Sequence, residues 1–82
     1  MSKREQVQRV RQLIAPYKGQ EVVVEGETEL GPYQTRTCRC AGVGPFEGIK
    51  GQPHMLHLRH TDGGHEWLYL QWVKAVKPTT SG

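Results

Sequence analysis

The stretch MLHLRHTDGGHEWLYLQWVKAV, from Met55 to Val76, carries the clearest structural signal in this chain. Leucines alternate with other residues on each side of Thr61–Gly64, which is the pattern of two strands that each bury one face. Between them, Asp-Gly and Gly-Gly steps readily adopt the positive φ angles of a tight turn. The stretch predicts a β-hairpin, followed through a turn at Gln71–Trp72 by a short last strand, Val73–Val76.

The beginning of the chain predicts an amphipathic helix. Ser2 and Glu5 have the spacing of a capping box, and apolar residues recur at helical spacing as far as Ile14. We expect a helix from Lys3 to about Ala15, ended by the proline that follows. Its arginines give it a basic side, which either faces solvent or contacts phosphates.

Two more strands are predicted between the helix and the hairpin. Gln20–Gly26 contains three consecutive valines, and Tyr33–Val43 is rich in Thr and in aromatic or small apolar residues. Glycines near the end of the second strand would let it bend, as a small closed barrel requires. Gly44–Pro53 is predicted to be a loop because it is rich in glycine and proline. The fold class is therefore mainly β, with an N-terminal helix and five strands.

Length and composition limit what the chain can be. With 82 residues, of which 35% are hydrophobic, it has a single small core, and we expect one domain over residues 1–78 and a flexible tail over 79–82. A net charge of +3 mildly favours an anionic partner such as nucleic acid. A charged N-terminus and the lack of a long apolar run predict no signal peptide, no membrane segment and a cytoplasmic location.

A zinc site is the first chemical alternative. Thiolate and imidazole groups are the right ligands for zinc, and six such residues fall in a short span: Cys38, Cys40, His54, His57, His60 and His65. Structural zinc sites usually separate paired cysteines by two to four residues, whereas here a single residue separates them on a predicted strand. We therefore expect reduced cysteines, surface histidines and no metal or other cofactor.

Catalysis is not expected either. Cys38 or Cys40 beside the neighbouring arginines could supply a reactive thiolate, but no third orienting group is identifiable. The carboxylates near Glu27 lie in a polar turn without a histidine or serine signature. The chain is also short for an enzyme cleft.

The aromatic residues suggest two uses. Because leucines claim one face of the second hairpin strand, Trp67 and Tyr69 are expected on the other, where they either cover the helix or form a partner interface together with Trp72. Phe46, in its glycine-rich loop near Lys50, either stacks on a base or anchors the loop.

Two segments carry a family resemblance. Leu13–Gly26, LIAPYKGQEVVVEG, resembles the helix-to-first-strand entry of the Sm-like (LSm and Hfq-like) family of small SH3-like barrels, and Tyr69–Val76, YLQWVKAV, is similar to the tyrosine-led second motif of its bacterial RNA chaperones. The resemblance implies a five-stranded barrel that binds RNA as a homo-oligomeric ring, closed by pairing the fourth strand of one subunit with the fifth of the next. Leu70 and Gln71 stand where that motif has lysine and histidine.

Two hypotheses from different classes follow. The first is an Sm-like protein that binds single-stranded RNA, with DNA as the second choice. Phe46 would stack on a base, His57 and Gln71 would contact base or sugar edges, and phosphates would be contacted by four cations: Lys50, Lys74, Arg4 and Arg11. The second is an SH3-like protein-interaction module, such as a phage or mobile-element adaptor or inhibitor, that uses Trp67, Tyr69 and Trp72. Fold alone does not choose between them.

Overall fold

The computed structural model describes residues 2–79, which contain one α-helix and six strands. The elements in chain order are α1 (Lys3–Ile14), β1 (Val22–Thr28), β2 (Gly31–Gln34), β3 (Cys38–Pro45), β4 (His54–His60), β5 (His65–Tyr69) and β6 (Val73–Pro78). Short 3-10 turns lie at Ala15–Tyr17, Phe46–Gly48 and Leu70–Trp72.

The predicted hairpin is confirmed as β4 and β5. The two strands are antiparallel, with Leu56 opposite Leu68 and His57 opposite Trp67. Gly63 in the connecting turn has a φ of 99°, which an L-residue with a side chain rarely adopts. The leucines therefore share one face of the hairpin, and the aromatic rings and histidine share the other.

The strands form a curled antiparallel sheet, a half-barrel. Its order is β2-β1-β3-β4-β5, and β6 pairs with the remaining side of β1. The predicted class, mainly β with an N-terminal helix and a small barrel-like sheet, is confirmed, but the described residues contain six strands rather than five. The turn predicted at Gln71–Trp72 is part of the 3-10 turn that leads into β6.

The additional strand arises because the predicted long strand Tyr33–Val43 is interrupted at Thr35–Thr37. Thr35 is buried, its backbone N–H donates to the carbonyl oxygen of Val24 at 3.0 Å, and its hydroxyl accepts from the N–H of Val24 at 2.9 Å. Both hydrogen bonds tie the chain to β1 at one residue, so β2 continues along β1 while β3 leaves to pair with β4. A threonine hydroxyl competing with the sheet ladder is the physical reason for the break.

The predicted bend near the end of the second strand is present as a bulge in β3. The register with β4 shifts between Cys40 and Gly42, and Gly42 has a φ of 135°. The strand continues to Pro45, slightly into the segment predicted as a loop. Beyond it, the N–H of Phe46 donates to the carbonyl oxygen of Pro53 at 3.0 Å and closes the loop.

The helix begins with the predicted capping box, in which Ser2 and Glu5 exchange side chain to backbone hydrogen bonds. It ends at Ile14 rather than Ala15, where the chain tightens into a 3-10 turn. Val10 is fully buried, and Arg9 donates to the carbonyl oxygens of Leu70 at 2.8 Å and Val73 at 2.7 Å. These contacts dock the helix onto the turn before β6.

The core joins the helix to the concave side of the sheet. Its buried cluster consists of Val10, Val22, Val24, Cys38, Leu56, Leu58, Leu68, Leu70, Val73 and Val76. Part of the predicted tail lies at residues 80–82, outside the described residues, while Thr79 bonds to the carbonyl oxygen of Glu21 through both its N–H and its hydroxyl. None of the described helices has the length and apolar character needed to cross a membrane.

Candidate functional site

The candidate site lies on the side of β3, β4 and β5 that faces away from the core cluster. We call this side the outer face. Strand alternation and register place nine residues on it: Arg39, Gly42, Gly44, Met55, His57, Arg59, His65, Trp67 and Tyr69. Most of their side chains are exposed or half-buried, and Met55 is buried. The outer face therefore holds the aromatic residues of the hairpin together with two arginines.

Arg39 and Arg59 are directly opposite each other on neighbouring strands. They are register partners of β3 and β4, both are exposed, and among residues 2–79 neither forms an ion pair. Side chains at such positions start about 5 Å apart, and like charges there repel each other. His65 is the partner of Arg59 on β5. The three residues thus form a row across the strands, which we call the cationic row.

Glu21 is the acidic residue near this row. It lines a surface depression of about 400 Å³ together with both arginines, His60 and Thr61. The Glu21 carboxylate is not within ion-pair distance of either arginine. The depression is therefore bordered by two unpaired cations, and a bound anion would relieve their repulsion.

Three aromatic rings, those of Phe46, His57 and Trp67, are packed next to the cationic row. His57 lies parallel to Trp67, with ring centroids 4.1 Å apart and planes 4° apart. Phe46 meets Trp67 edge to face, with centroids 5.5 Å apart. His57 and Phe46 cover part of Trp67, which explains why this side chain is half-buried rather than exposed, although no helix or strand within residues 2–79 covers it. Phe46 and Trp67, predicted separately, are thus brought together.

His57 also forms a hydrogen bond with His65. The Nε2 atom of His57 and the Nδ1 atom of His65 are 2.8 Å apart, and the two rings are nearly parallel, with 14° between their planes. Burial lowers the pKa of His57 below its usual 6.5, and the neighbouring His65 and Arg59 lower it further. Its surroundings in the free protein therefore favour the neutral form of His57.

The β3 side of the outer face is open. A Cβ atom added to Gly42, the register partner of His57, or to Gly44, the partner of Met55, would have no heavy atom within 4 Å. The two glycines therefore leave a strip of bare backbone beside the aromatic rings. An extended ligand can approach the rings from this side.

Gln71 lies outside the outer face, in a separate hollow. This hollow has a volume of about 520 Å³ and is lined by Lys3, Gln6, Pro53, His54, Tyr69, Leu70 and Gln71. Tyr69, which is 41% exposed, belongs to both the hollow and the outer face. Arg9 donates to the Oε1 atom of Gln6 at 3.1 Å, which leaves the amide nitrogen of Gln6 available. Gln71 and Tyr69 therefore line the same hollow as residues at the start of the helix.

The other predicted phosphate contacts are dispersed. Lys50 is exposed in the loop after Phe46, and Lys74 lines a different depression beside Glu25 and Glu27. Arg4 and Arg11 are exposed on the helix, seven residues apart and therefore on nearly the same side of it. Neither lies on the outer face.

The predicted interface residues fall into two groups. Trp67 belongs to the cluster with His57, whereas Trp72 packs against Tyr69, at a centroid distance of 4.8 Å, and against Tyr33, at 6.5 Å. Tyr69 lies between the groups on β5. An aromatic surface therefore continues along this strand into the 3-10 turn.

His60 and Cys38 have structural contacts. His60 hydrogen bonds to Glu66 at 2.7 Å and to Arg36 at 2.8 Å, and Arg36 also pairs with Asp62. The Sγ atom of Cys38 donates to the carbonyl oxygen of Val22. In the described part of the chain, no three His, Cys, Asp or Glu side chains are grouped to hold a metal ion.

Sequence reasoning missed Arg39, Arg59 and His65 as site residues. The alignment of Arg39 with Arg59 depends on the bulge between Cys40 and Gly42, which shifts the register of β3 against β4. The alignment of Arg59 with His65 follows from the regular register of the hairpin. The alternation of Arg39 with two cysteines was a usable signal, because it predicts that the arginine points away from the core.

Comparison of the chain with protein-family models, curated proteins and solved structures finds no match.

Proposed function

We propose that this protein binds single-stranded nucleic acid, RNA in the first place, along the outer face. The role is one of binding rather than catalysis, without a cofactor, and in the cytoplasm. The observation that carries the proposal is the unpaired cationic row beside an aromatic cluster on a face that no helix covers. Single-strand binders combine these two features, because cations follow the backbone and rings stack on bases.

The phosphate contacts would come first from Arg39 and Arg59. Two like charges directly across a pair of strands destabilise the free sheet, and a phosphate placed between them turns this repulsion into attraction. Arginine also presents several N–H donors in a planar fork that matches phosphate oxygens. These two side chains therefore supply the electrostatic part of the affinity.

The base contacts would lie about 7 Å further along the strands, two residues from the cationic row. His57 covers one face of Trp67, so Tyr69 offers the most accessible ring on β5, and Phe46 borders the cluster from the loop. The bare backbone at Gly42 and Gly44 leaves room for the sugar and phosphate chain. Gln71 would contact a base edge in the hollow beyond Tyr69.

The second part of the proposal is a homo-oligomer, the ring that the Sm-like resemblance implies. Within residues 2–79, β5 pairs only with β4 and β6 pairs only with β1. Each has an edge available for pairing with another copy, and edge pairing between copies would remove both exposed ladders. Light scattering would test this part, because a closed ring has a mass that is a whole multiple of 9.3 kDa.

The binding test compares two variants that remove the same charge. Arg39→Gln/Arg59→Gln and Arg4→Gln/Arg11→Gln each remove two exposed cations, from the sheet and from the helix respectively. We expect the sheet variant to weaken binding of a labelled single-stranded RNA by tenfold or more, measured by fluorescence anisotropy at low salt. The helix variant should lose less. An equal loss in both would place the phosphate path on the helix, and full affinity in the sheet variant would contradict the proposed face.

Phe46→Ala tests the aromatic contribution. If Phe46 stacks on a base or supports the ring that does, binding should weaken by about 1–3 kcal/mol. Ile49→Ala, in the same loop, is the matched control, since Ile49 is half exposed and belongs to no aromatic cluster. Unchanged affinity in Phe46→Ala would remove this residue from the interface.

A protein-interaction module, such as a phage or mobile-element adaptor or inhibitor, is the second candidate. It is favoured by the aromatic surface of Tyr69 and Trp72 beside the unpaired edge of β5. A pull-down that recovers one specific protein, and loses it in Trp67→Ala and Trp72→Ala, would support it. Recovery of nucleic acid alone would favour the first candidate.

A further inference from the structure

The pair formed by His57 and His65 is the feature of the outer face that nucleic-acid binding alone does not explain. A hydrogen bond between two imidazole nitrogens needs one proton between two lone pairs. At 2.8 Å, the pair can hold one additional proton and keep this hydrogen bond, because a charged ring then donates to a neutral one. A second additional proton would break it.

The surroundings of the pair oppose even the first additional proton in the free protein. His57 is packed against Trp67, and the charged groups next to the pair in the sheet are cations: Arg59 on the same strand as His57, and Arg39 beside it on β3. The acidic Glu21 lines the depression beside both arginines and is not within ion-pair distance of either. Glu66 of β5 points to the opposite face, where it bonds to His60. The pKa of His57 is accordingly lowered by burial, by His65 and by Arg59.

A bound phosphate would reverse this balance. Placed on the cationic row it would neutralise Arg59 and lie beside His65, the third member of the row. A negative charge next to a histidine side chain favours its protonated form. The free protein therefore favours the neutral form of His57, and the phosphate complex favours one additional proton on the pair.

We propose that His65 joins Arg39 and Arg59 in a phosphate site, and that occupation of this site is coupled to the uptake of one proton by the pair of His57 and His65. This inference rests on the proposed function. Because the bound phosphate raises the pKa of the pair, affinity is highest below the pKa of the free protein and falls as the pH rises through the pKa of the complex. The change is up to about tenfold per pH unit, the effect of one proton.

Calorimetry with oligouridylate tests the proposal, because the bases and phosphodiesters of this RNA hold no titrating group between about pH 5 and about pH 8. Titrations in two buffers with different ionisation enthalpies count the protons taken up. We expect up to one proton for each bound site in the native protein, and little uptake in His65→Gln. His54→Gln is the control for the loss of a histidine. His54 is exposed at the start of β4 and lies off the cationic row, in the hollow that also contains Gln71, so this variant should keep the native proton uptake for each bound site whatever its effect on affinity.

A second measurement uses only the native protein, so its result does not depend on whether a variant folds. In the native protein without RNA, the NMR titration of His57 and His65 should be coupled, and added RNA should move it to higher pH. RNA binding without proton uptake, or equal uptake in His65→Gln, would overturn the proton coupling and leave the proposed function standing. The absence of RNA binding at every pH would overturn both.

Discussion

Arg9 in the helix donates a hydrogen bond of 2.8 Å to the carbonyl oxygen of Leu70, 61 residues later in the chain. The same guanidinium donates to the carbonyl oxygen of Val73. Arginine is thus used here to hold the helix against the 3-10 turn between β5 and β6, although the sequence placed it on a basic, outward side of the helix. The hollow that contains Gln71 depends on this contact, since it is formed by the helix start and the same turn.

Loss of Arg9 should destabilise the fold. Arg9→Ala removes both hydrogen bonds to the turn, and each bond from a charged donor contributes about 1.5–3 kcal/mol. Because bonds made by one guanidinium are not additive, we expect the free energy of unfolding to fall by about 2–4 kcal/mol. Arg11→Ala, on the same helix but exposed, should change it by less than about 0.5 kcal/mol. Urea unfolding followed by circular dichroism measures both. Equal stabilities of the two variants would contradict the docking role.

Gly26 should be intolerant of any side chain. A Cβ atom there would lie 2.6 Å from the Cε1 atom of Tyr33 and closer still to the carbonyl oxygen of Trp72, a backbone atom that cannot rotate away. We expect Gly26→Ala to lower the free energy of unfolding by about 1–3 kcal/mol or more.

Gly44→Ala is the matched control for Gly26→Ala. Gly44 is also in a strand, has no positive φ, and has no heavy atom within 4 Å of its Cβ position. Its substitution should be nearly neutral. Thermal unfolding of the two variants side by side measures the difference, and a Gly26→Ala protein as stable as Gly44→Ala would show that the sheet relaxes around the methyl group.

Replacement of Tyr33 by phenylalanine should not destabilise the protein. Its hydroxyl is buried without a hydrogen-bond partner among the described residues, and an unsatisfied buried polar group costs about 1–3 kcal/mol. We therefore expect Tyr33→Phe to unfold at an equal or higher urea concentration than the native protein. A loss of 1 kcal/mol or more would mean that the hydroxyl has a partner.

The same burial makes Tyr33 sensitive to alkali. Burial, followed by the charges of Glu66 and Cys38, raises the pKa of Tyr33 from 10.0 to about 12. Above pH 10.0 the unfolded chain loses this proton more easily than the folded one, so the free energy of unfolding should fall as the pH rises toward 12. Tyr33→Phe should reduce that fall. An unchanged alkaline slope in the variant would contradict the assignment.

Both cysteines should react slowly. Burial raises the pKa of Cys38, and burial together with the nearby Cys38 raises the pKa of Cys40 to about 11. Since the thiolate is the reactive form, a disulfide reagent at neutral pH should modify the native protein slowly and the urea-unfolded protein quickly. Rapid modification of the native protein would show that a thiol is more accessible to the reagent than its burial implies.

Much of the fold was readable from local chemistry. The turn glycines, the alternating leucines and the capping box of Ser2 and Glu5 act over a few residues, and each formed as predicted. The strand count was wrong because the hydroxyl of Thr35 bonds to Val24. Threonine is common in continuous strands and also occurs where a strand is interrupted. Which of the two occurs depends on whether its hydroxyl lies close enough to a backbone N–H group, here that of Val24, to form a hydrogen bond.

The candidate site was readable only in part. The sequence identified four side chains with rings as candidates for contacting RNA or a protein partner: Phe46, His57, Trp67 and Tyr69. The structure brings them to one side of the sheet. The sequence could not show that Arg39 would lie opposite Arg59, because cross-strand pairing depends on the bulge in β3. Nor could it separate Arg9, which docks the helix, from Arg4 and Arg11, which remain exposed.

The sequence by itself therefore determined the helix, the hairpin, the mainly β class and the inward orientation of the hairpin leucines. These follow from propensities and periodicities that act within a few residues. The tertiary structure alone decided the number of strands, the pairing of the arginines, the hydrogen bond between His57 and His65, and the docking of Arg9. Each of these depends on contacts between residues at least eight positions apart, and such contacts exist only once strand register and the packing of the helix are set.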